Sequence, residues 1–239
     1  MRALLASLIL ASAAPLAGQF SYPVSASTRL YIGHFIDGGP PSQKWQTTLI
    51  LTNPNPGAPA PVKVSFYNDA GQAMPLDFGQ GASPTLLVAV PAGGAKSLTT
   101  VGASETLLNG WAIVETPDAP ATEPATPVTA TVLYRGELPG NHWWDVAAVG
   151  TGSTYFFSSY GNRDLGVALA NPSRADTIHL QMTARTEGGQ SAGSWTINLP
   201  PLGHRSFNLS GPPASLASFS GTIQISSLDD PPSPFVALA

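Results

Sequence analysis

The sequence predicts an all-β chain that folds as two tandem immunoglobulin-like β-sandwich domains of about seven strands each. Three observations lead to this fold class. Short runs of residues alternate between apolar and polar, turn-forming Gly and Pro separate the runs, and a set of landmarks occurs twice in the same order. The chain of 239 residues contains 24 glycines and 24 prolines, and no long stretch shows helical periodicity.

The N-terminus predicts export. A basic start, Met1-Arg2, precedes the apolar stretch Ala3–Ala14, and small residues follow at Ala17-Gly18. This is the pattern of a secretory signal peptide, and the stretch is shorter than the ~20 residues of a membrane span. We expect cleavage after Gly18, with cleavage after Ala17 as the alternative, and favour both over a buried N-terminal helix or strand. The mature chain is expected to be extracellular, on the cell surface or periplasmic, without an integral membrane segment.

The composition excludes several classes of protein. The chain has no cysteine, so it forms no disulfide and no Cys-ligated metal site. Its formal net charge is −4 and its ten Lys and Arg are scattered, whereas nucleic-acid binding needs a basic face. Charged residues make up only 10% of the chain and hydrophobic residues 43%, which is enough apolar material for a buried core.

An internal repeat divides the chain. Five landmarks recur: 48–54 with 166–172, 62–69 with 178–185, 86–93 with 195–203, 110–115 with 221–226, and 127–133 with 234–238. The pairs Asn53-Pro54 and Asn171-Pro172 end a strand in each copy, because proline donates no backbone hydrogen bond and restricts the residue before it. We interpret the chain as a tandem duplication, with a signal peptide at 1–18, domains at 19–135 and 153–239, and a linker at 136–152.

Alternation and turn residues define the predicted strands of both domains. In the first domain they are Arg29–Ile36, Thr47–Thr52, Val62–Asn68, Thr85–Val90, Lys96–Thr100, Trp111–Glu115 and Val128–Tyr134. In the second they are Thr154–Ser158, Gly166–Ala170, Thr177–Thr186, Ser194–Leu199, His204–Leu209, Gly221–Ser226 and Phe235–Leu238. Turns such as Asn68-Asp69-Ala70-Gly71 separate them.

The tryptophans have different predicted roles. Trp111 and Trp195 lie on alternating strands and are expected in the core. His142, Trp143 and Trp144 lie in the expected linker and are the candidate contact residues. Two interpretations stay open: an exposed surface that stacks on sugar rings or docks a partner, or a wedge that fixes the angle between the domains. The wedge is favoured, because exposed apolar patches are normally buried against something.

Several motifs resemble a known repeat. Phe35–Gly39 and Trp45–Pro54, with Val-Pro-Ala-Gly-Gly at 90–94 and Gly-Trp-Ala at 110–112, resemble a repeat of secreted multidomain proteins from environmental bacteria. In the second half, Leu199–His204, Phe219–Ile223 and Pro234–Ala239 are similar to its companion module. The resemblance implies an immunoglobulin-like sandwich and an extracytoplasmic setting. That family has no assigned activity, so the resemblance assigns no site residue.

We expect no enzyme, no cofactor and no metal. The chain has no Gly-x-Ser-x-Gly motif, and its histidines, His34, His142, His179 and His204, lie far apart without ligand spacing. The acidic pair Asp229-Asp230 is interpreted as a solvated loop.

Two roles remain. The first is a structural or adhesive module with extracellular partners or self-association, in which another chain completes the short C-terminal strand; a complete strand is the favoured alternative. The second is a binding module for polysaccharide or another ligand. Its contacts would be Trp143-Trp144 or the aromatics Tyr155-Phe156-Phe157 and Tyr160.

Overall fold

The computed structural model describes residues 29–116, 128–136, 142–147, 150–161 and 165–239, with the backbone alone described for 142–147. The expected signal peptide lies outside these residues. The described chain is all-β and has no helix, which confirms the predicted class. Its strands are β1 Arg29–Gly38, β2 Trp45–Thr52, β3 Ala60–Asn68, β4 Leu76–Asp77, β5 Ala82–Ser83, β6 Thr85–Val90, β7 Ala95–Thr99, β8 Leu107–Glu115, β9 Thr129–Gly136, β10 His142–Ala147, β11 Thr154–Ser159, β12 Gly166–Ala170, β13 Ile178–Thr186, β14 Ser191–Leu199, β15 His204–Asn208, β16 Gly221–Ser227 and β17 Val236–Leu238.

Each strand predicted from alternation has a counterpart in the structure. Three strands were not predicted: the short pair β4 and β5, and β10 in the segment expected to be an irregular linker. β10 runs antiparallel to β9, with Trp143 opposite Arg135 and Trp144 opposite Tyr134. The prediction failed there because His142–Ala147 lacks apolar alternation, the signal on which a strand assignment from sequence depends.

The first strand set, β1 to β10, forms two layers. β1 and β2 share only the pair Gly38 and Trp45, while β2 pairs along its length with β9 on one side and β7 on the other. The layers are therefore β10-β9-β2-β7 and β1-β8-β3-β6. Their facing sides share one buried core, which includes Phe35, Leu49 and Val132.

The second strand set, β11 to β17, repeats this arrangement. Its layers are the sheets β11-β16-β13-β14 and β15-β12-β17. Strand by strand these match β1-β8-β3-β6 and β7-β2-β9 of the first set. A second core lies between them and includes Leu180, Ile225 and Phe235. Each strand set therefore has its own apolar interior.

Counting the seven strands that the two sets share, the pairing differs from that of the seven-strand immunoglobulin fold at the first, fourth and last strands. The fourth strand of that fold joins the fifth, whereas here it pairs with the third, as β6 with β3 and β14 with β13. In that fold the first strand joins the second and the last joins the sixth. Here the first strand pairs with the sixth, as β1 with β8 and β11 with β16. The last pairs with the second, as β9 with β2 and β17 with β12. Alternation does not reveal this exchange, because an edge strand shows the same pattern on either sheet.

Asn53 and Asn171 hold equivalent positions after β2 and β12, and both are fully buried. The Asn53 side-chain amide donates to the carbonyls of Ala58 and Pro91, at 2.9 and 3.2 Å. The Asn171 side-chain amide donates to the backbone carbonyls of Asp176 and Pro200, at 2.8 and 2.9 Å. The asparagine thus ties the strand end to two neighbouring segments in each set, a function that the Asn-Pro pairs did not reveal in the sequence.

Candidate functional site

The backbone of the candidate residues His142, Trp143 and Trp144 lies in β10, at the edge of the layer β10-β9-β2-β7. Their side chains lie outside the described part of the structure. Both interpretations of this segment, an exposed contact surface and a wedge between domains, therefore stay predictions.

A different tryptophan lies between the two strand sets. The outer side of β1, β8 and β3 packs on the outer side of β15-β12-β17, and we call this contact the junction. Trp111 and Ile113 of β8 pack there with Ala170 and Val236 in a fully buried apolar cluster. The Trp111 indole N–H donates to the carbonyl oxygen of Leu202 at 2.7 Å. Trp111 is buried as expected, but in the junction rather than in the core of its own strand set.

Large side chains of one sheet face small side chains of the other across the junction. Tyr31 and Tyr67 flank Trp111, with ring centroids 6.2 and 5.6 Å from the indole. The opposite sheet presents the small residues Ala168 and Ala170, both buried. Because alanine leaves room for an aromatic ring above the sheet, the two sheets approach closely enough to exclude water from the cluster.

Polar groups close one side of the junction. The His204 ring, whose side chain is fully buried, places Nδ1 2.7 Å from Oδ1 of Asp69. The backbone N–H of His204 donates to the carbonyl oxygen of Asp69 at 3.2 Å. The Asn109 side-chain amide donates to Oγ of Ser206 at 2.9 Å. These contacts join residues far apart in sequence and orient one strand set against the other.

Two of the four histidines meet at this junction. The rings of His34 and His204 stack with centroids 5.6 Å apart, and the Tyr134 hydroxyl donates to the His34 carbonyl at 2.6 Å. Burial, and secondarily the nearby His204, lowers the pKa of His34 to about 3, while Asp69 opposes the shift. Among the described residues, His34 Nδ1 and His204 Nε2 have no hydrogen-bond partner. This pairing could not be predicted from the sequence, because the residues that form it lie on separate strands.

The described ranges contain no group of three or more His, Asp or Glu side chains arranged to hold a metal ion. They also contain no helix long and apolar enough to cross a membrane.

Comparison with protein-family models, curated proteins and solved structures finds no match for this chain. The resemblance to repeats of secreted bacterial proteins therefore stays a prediction, and the chemistry of the molecule has to be inferred from its own surfaces.

The second strand set presents an exposed counterpart of the junction surface. This open face is the outer side of β11-β16-β13-β14. Three cross-strand rows span its four strands, and the exposed pair His179 and Asn198 continues it on β13 and β14. The middle row is Phe156, Gln224, Thr183 and Ser194. The flanking rows are Thr154, Ser226, Gln181 and Thr196 on one side, and Ser158, Thr222, Arg185 and Ser191 on the other. All but two of these residues carry an uncharged hydroxyl or amide group.

Two aromatic side chains in and just after β11 are exposed to solvent. Phe156 is 69% exposed, and Tyr160, just beyond the end of β11, is 81% exposed. By contrast, Tyr155 and Phe157 stack on each other at 6.2 Å and pack against the core. Of the four aromatics between residues 155 and 160, the structure thus presents Phe156 and Tyr160 to solvent and turns Tyr155 and Phe157 inward. The alternation of β11 determines this separation.

Hydrogen-bonding groups of the open face lie close to one another. The Gln224 side-chain amide donates to Oγ of Ser226 at 3.1 Å, and the Thr183 and Ser194 hydroxyls lie 3.5 Å apart. Hydroxyl and amide groups both donate and accept hydrogen bonds. Arg185 is the one ionisable residue in the three rows. The three rows are therefore polar with a single cationic side chain and an apolar ring at one side, and beyond them His179 contacts Asp229 at 2.9 Å.

Proposed function

We propose that this chain is a non-enzymatic, exported β-sandwich protein with a structural or adhesive role. In this proposal its two strand sets are tandem sandwich domains, related to the immunoglobulin fold but with the first, fourth and last strands paired differently. The junction is the observation that carries the proposal. A buried tryptophan and an Asp69–His204 contact hold the two strand sets in one orientation, as a spacer or a presenting scaffold requires.

Repetition of the same plan supports a modular architecture. Seven strands of each set pair in the same order, and both sets have a buried asparagine after the second strand. Such modules act through surfaces and strand edges rather than through a cavity. The partners proposed are other extracellular or cell-surface proteins, or further copies of this chain.

Strand addition is one form that a structural role could take. β17 pairs with β12 over Ala168 to Ala170, whereas β9 pairs along the whole of β2. Within the described residues, Gly166 and Val167 of β12 pair only with β15. An added strand from another chain would extend the pairing of β12, and the alternative remains that β17 is complete as it stands.

A second candidate function is ligand binding, with polysaccharide as one ligand class. The exposure of Phe156 and Tyr160 favours it, because a soluble protein gains little from presenting large rings to water unless they contact something.

The test of the structural or adhesive role follows the chain through export. The chain from Met1 is expressed in a bacterial host, with a variant lacking residues 1–18 as control. We expect N-terminal sequencing of the exported product to start at Gln19 or Gly18, and light scattering to show assemblies or a monomer that is retained by cell-envelope material. An unprocessed chain that stays in the cytoplasm, or an exported monomer that neither assembles nor adheres, would overturn the proposal.

A further inference from the structure

We propose that the open face, the outer side of β11-β16-β13-β14, is a binding surface for a neutral polysaccharide, with Phe156 as its stacking residue. This inference rests on the proposed adhesive function and names the surface and the class of ligand. It is carried by the side-chain chemistry of the three rows and by a contrast with the equivalent surface of the first strand set.

The aromatic residues supply the apolar part of the site. A pyranose ring has a face of C–H groups that packs on an aromatic ring, and its hydroxyls point outward around that face. Phe156 lies on the edge strand β11 with its ring 69% exposed. Tyr160 follows four residues later, roughly 13 Å along an extended chain, and is also exposed. Two aromatic contacts at this distance suit a polymer rather than a single sugar.

The hydroxyl and amide rows supply the polar part. Adjacent strands lie about 4.8 Å apart, and alternate residues of one strand lie about 6.7 Å apart. Gln224 and Thr183 continue the row of Phe156 across the sheet. A polymer lying along that row meets regularly spaced groups that donate to and accept from its hydroxyls. A repeating ligand suits a repeating surface.

Charge selects a neutral ligand. An acidic polysaccharide needs several cationic side chains, since electrostatic contacts with its carboxylates or sulfates supply most of the affinity. The three rows contain only Arg185, in a flanking row, and the His179 side chain beyond them already contacts the carboxylate of Asp229. Binding that depends on uncharged hydrogen bonds and ring stacking should also change little with salt concentration.

The equivalent face of the first strand set argues against a protein partner that docks as the junction does. In matching registers, Thr222 stands where Trp111 stands, and Gln224 stands where Ile113 stands. Trp111 and Ile113 make the apolar centre of the junction. The open face thus has polar groups at the two positions that a dry sheet-to-sheet contact uses, so a second copy has no apolar centre to pack against.

The test measures binding of the chain from Gln19 to insoluble cellulose and chitin and to soluble neutral β-glucan, with alginate as the acidic control. We expect binding to at least one neutral polymer that persists at high salt, and none to alginate. Phe156→Ala should weaken binding about tenfold, or about 1.4 kcal/mol, and Phe156→Trp should retain it. Leu87→Ala is the matched control, because Leu87 is a large apolar residue of similar exposure, 75% against 69%, but lies in the first strand set.

The outcomes separate this inference from the broader proposal. No binding to any neutral polymer, or equal binding by Phe156→Ala and wild type, overturns the polysaccharide face. Binding to alginate that salt abolishes also overturns it. In each of these cases, an exported chain that assembles or adheres through another surface leaves the structural or adhesive role standing.

Discussion

The outer faces of two equivalent sheets have opposite character. In β1-β8-β3-β6 the outer side presents Tyr31, Trp111 and Ile113, and it is covered by the second strand set. In β11-β16-β13-β14 the positions in the same register are Phe156, Thr222 and Gln224, and these face solvent. The strand order is the same in both sheets, so it does not determine which face becomes an interface. The side chains differ, and β1 has a register shift between Ile32 and Phe35 that β11 lacks. Two sheets with the same strand order thus present surfaces of different chemistry.

The smaller sheets differ in the complementary way. In the second strand set Ala168 and Ala170 of β12 lie against the junction. The matching residues of β2 in the first strand set are Ile50 and Thr52, whose β-branched side chains project from the sheet. The aromatic outer side of β1-β8-β3-β6 therefore fits the small residues of β15-β12-β17. The bulkier outer side of β2 does not leave the same room for an aromatic ring.

The largest expected effect on stability comes from removing Trp111 at the centre of the junction. Trp111→Ala should destabilise the protein by about 3–5 kcal/mol, because it leaves a cavity in a dry contact. Its match on the open face, Thr222→Ala, should change stability by less than about 0.5 kcal/mol. Urea unfolding followed by circular dichroism measures both. Equal effects at the two positions would mean that the faces are equally exposed.

Acidification should have the next largest effect on the free energy of unfolding, through His34 at the junction. Burial lowers the pKa of His34 from 6.5 to about 3, so between these values the unfolded chain binds more protons than the folded one. The free energy of unfolding is therefore independent of His34 ionisation above pH 6.5, and it declines as the pH falls toward 3, by at most a few kcal/mol. Urea midpoints measured across this range should fall more steeply for wild type than for His34→Gln. Parallel curves would show that His34 is solvated.

Enlarging the small-residue face should have a moderate effect. Ala170→Val adds two methyl groups against Trp111 and Val236 and should cost about 1–3 kcal/mol through overpacking. The same enlargement of side-chain volume at the matching exposed position, Thr52→Ile, should be within about 0.5 kcal/mol of wild type. Thermal unfolding distinguishes these outcomes, and a neutral Ala170→Val would place the two sheets farther apart than the structure has them.

The smallest expected change is on the open face itself. Phe156→Ala should leave the free energy of unfolding within about 0.5 kcal/mol of wild type, because its ring makes few buried contacts. Differential scanning calorimetry measures this. A loss of several kcal/mol would show that the ring packs against the protein and is not free for a ligand.

Alternation and turn residues predict most of the strands, since both are local properties of the chain. Gly166–Ala170 and Thr85–Val90 match the observed strands at both ends. Alternation also separates the outward Phe156 from the inward Tyr155 and Phe157. The pairing of the edge strands escaped prediction, because an edge strand carries the same pattern whichever sheet it joins.

The junction also escaped prediction. Trp111 was correctly expected to be buried, but an apolar residue on a strand fits a sandwich core and a contact between sheets equally well. His34, Asp69 and His204 meet only through the packing of two strand sets, and nothing in their spacing signals it. The sequence offers several aromatic residues as candidate ligand contacts. Among those whose side chains are described, the structure exposes Phe156 and Tyr160.

The contrast between covered and open faces is tested most directly by hydroxyl-radical footprinting of the intact chain with mass spectrometry. One experiment compares the oxidation rates of Trp111, Tyr67, Phe156 and Tyr160 in the same molecules. We expect Trp111 to be strongly protected while Phe156 and Tyr160 oxidise at rates near those of the unfolded chain. Oxidation of Trp111 as fast as that of Phe156, relative to the unfolded chain, would contradict the account.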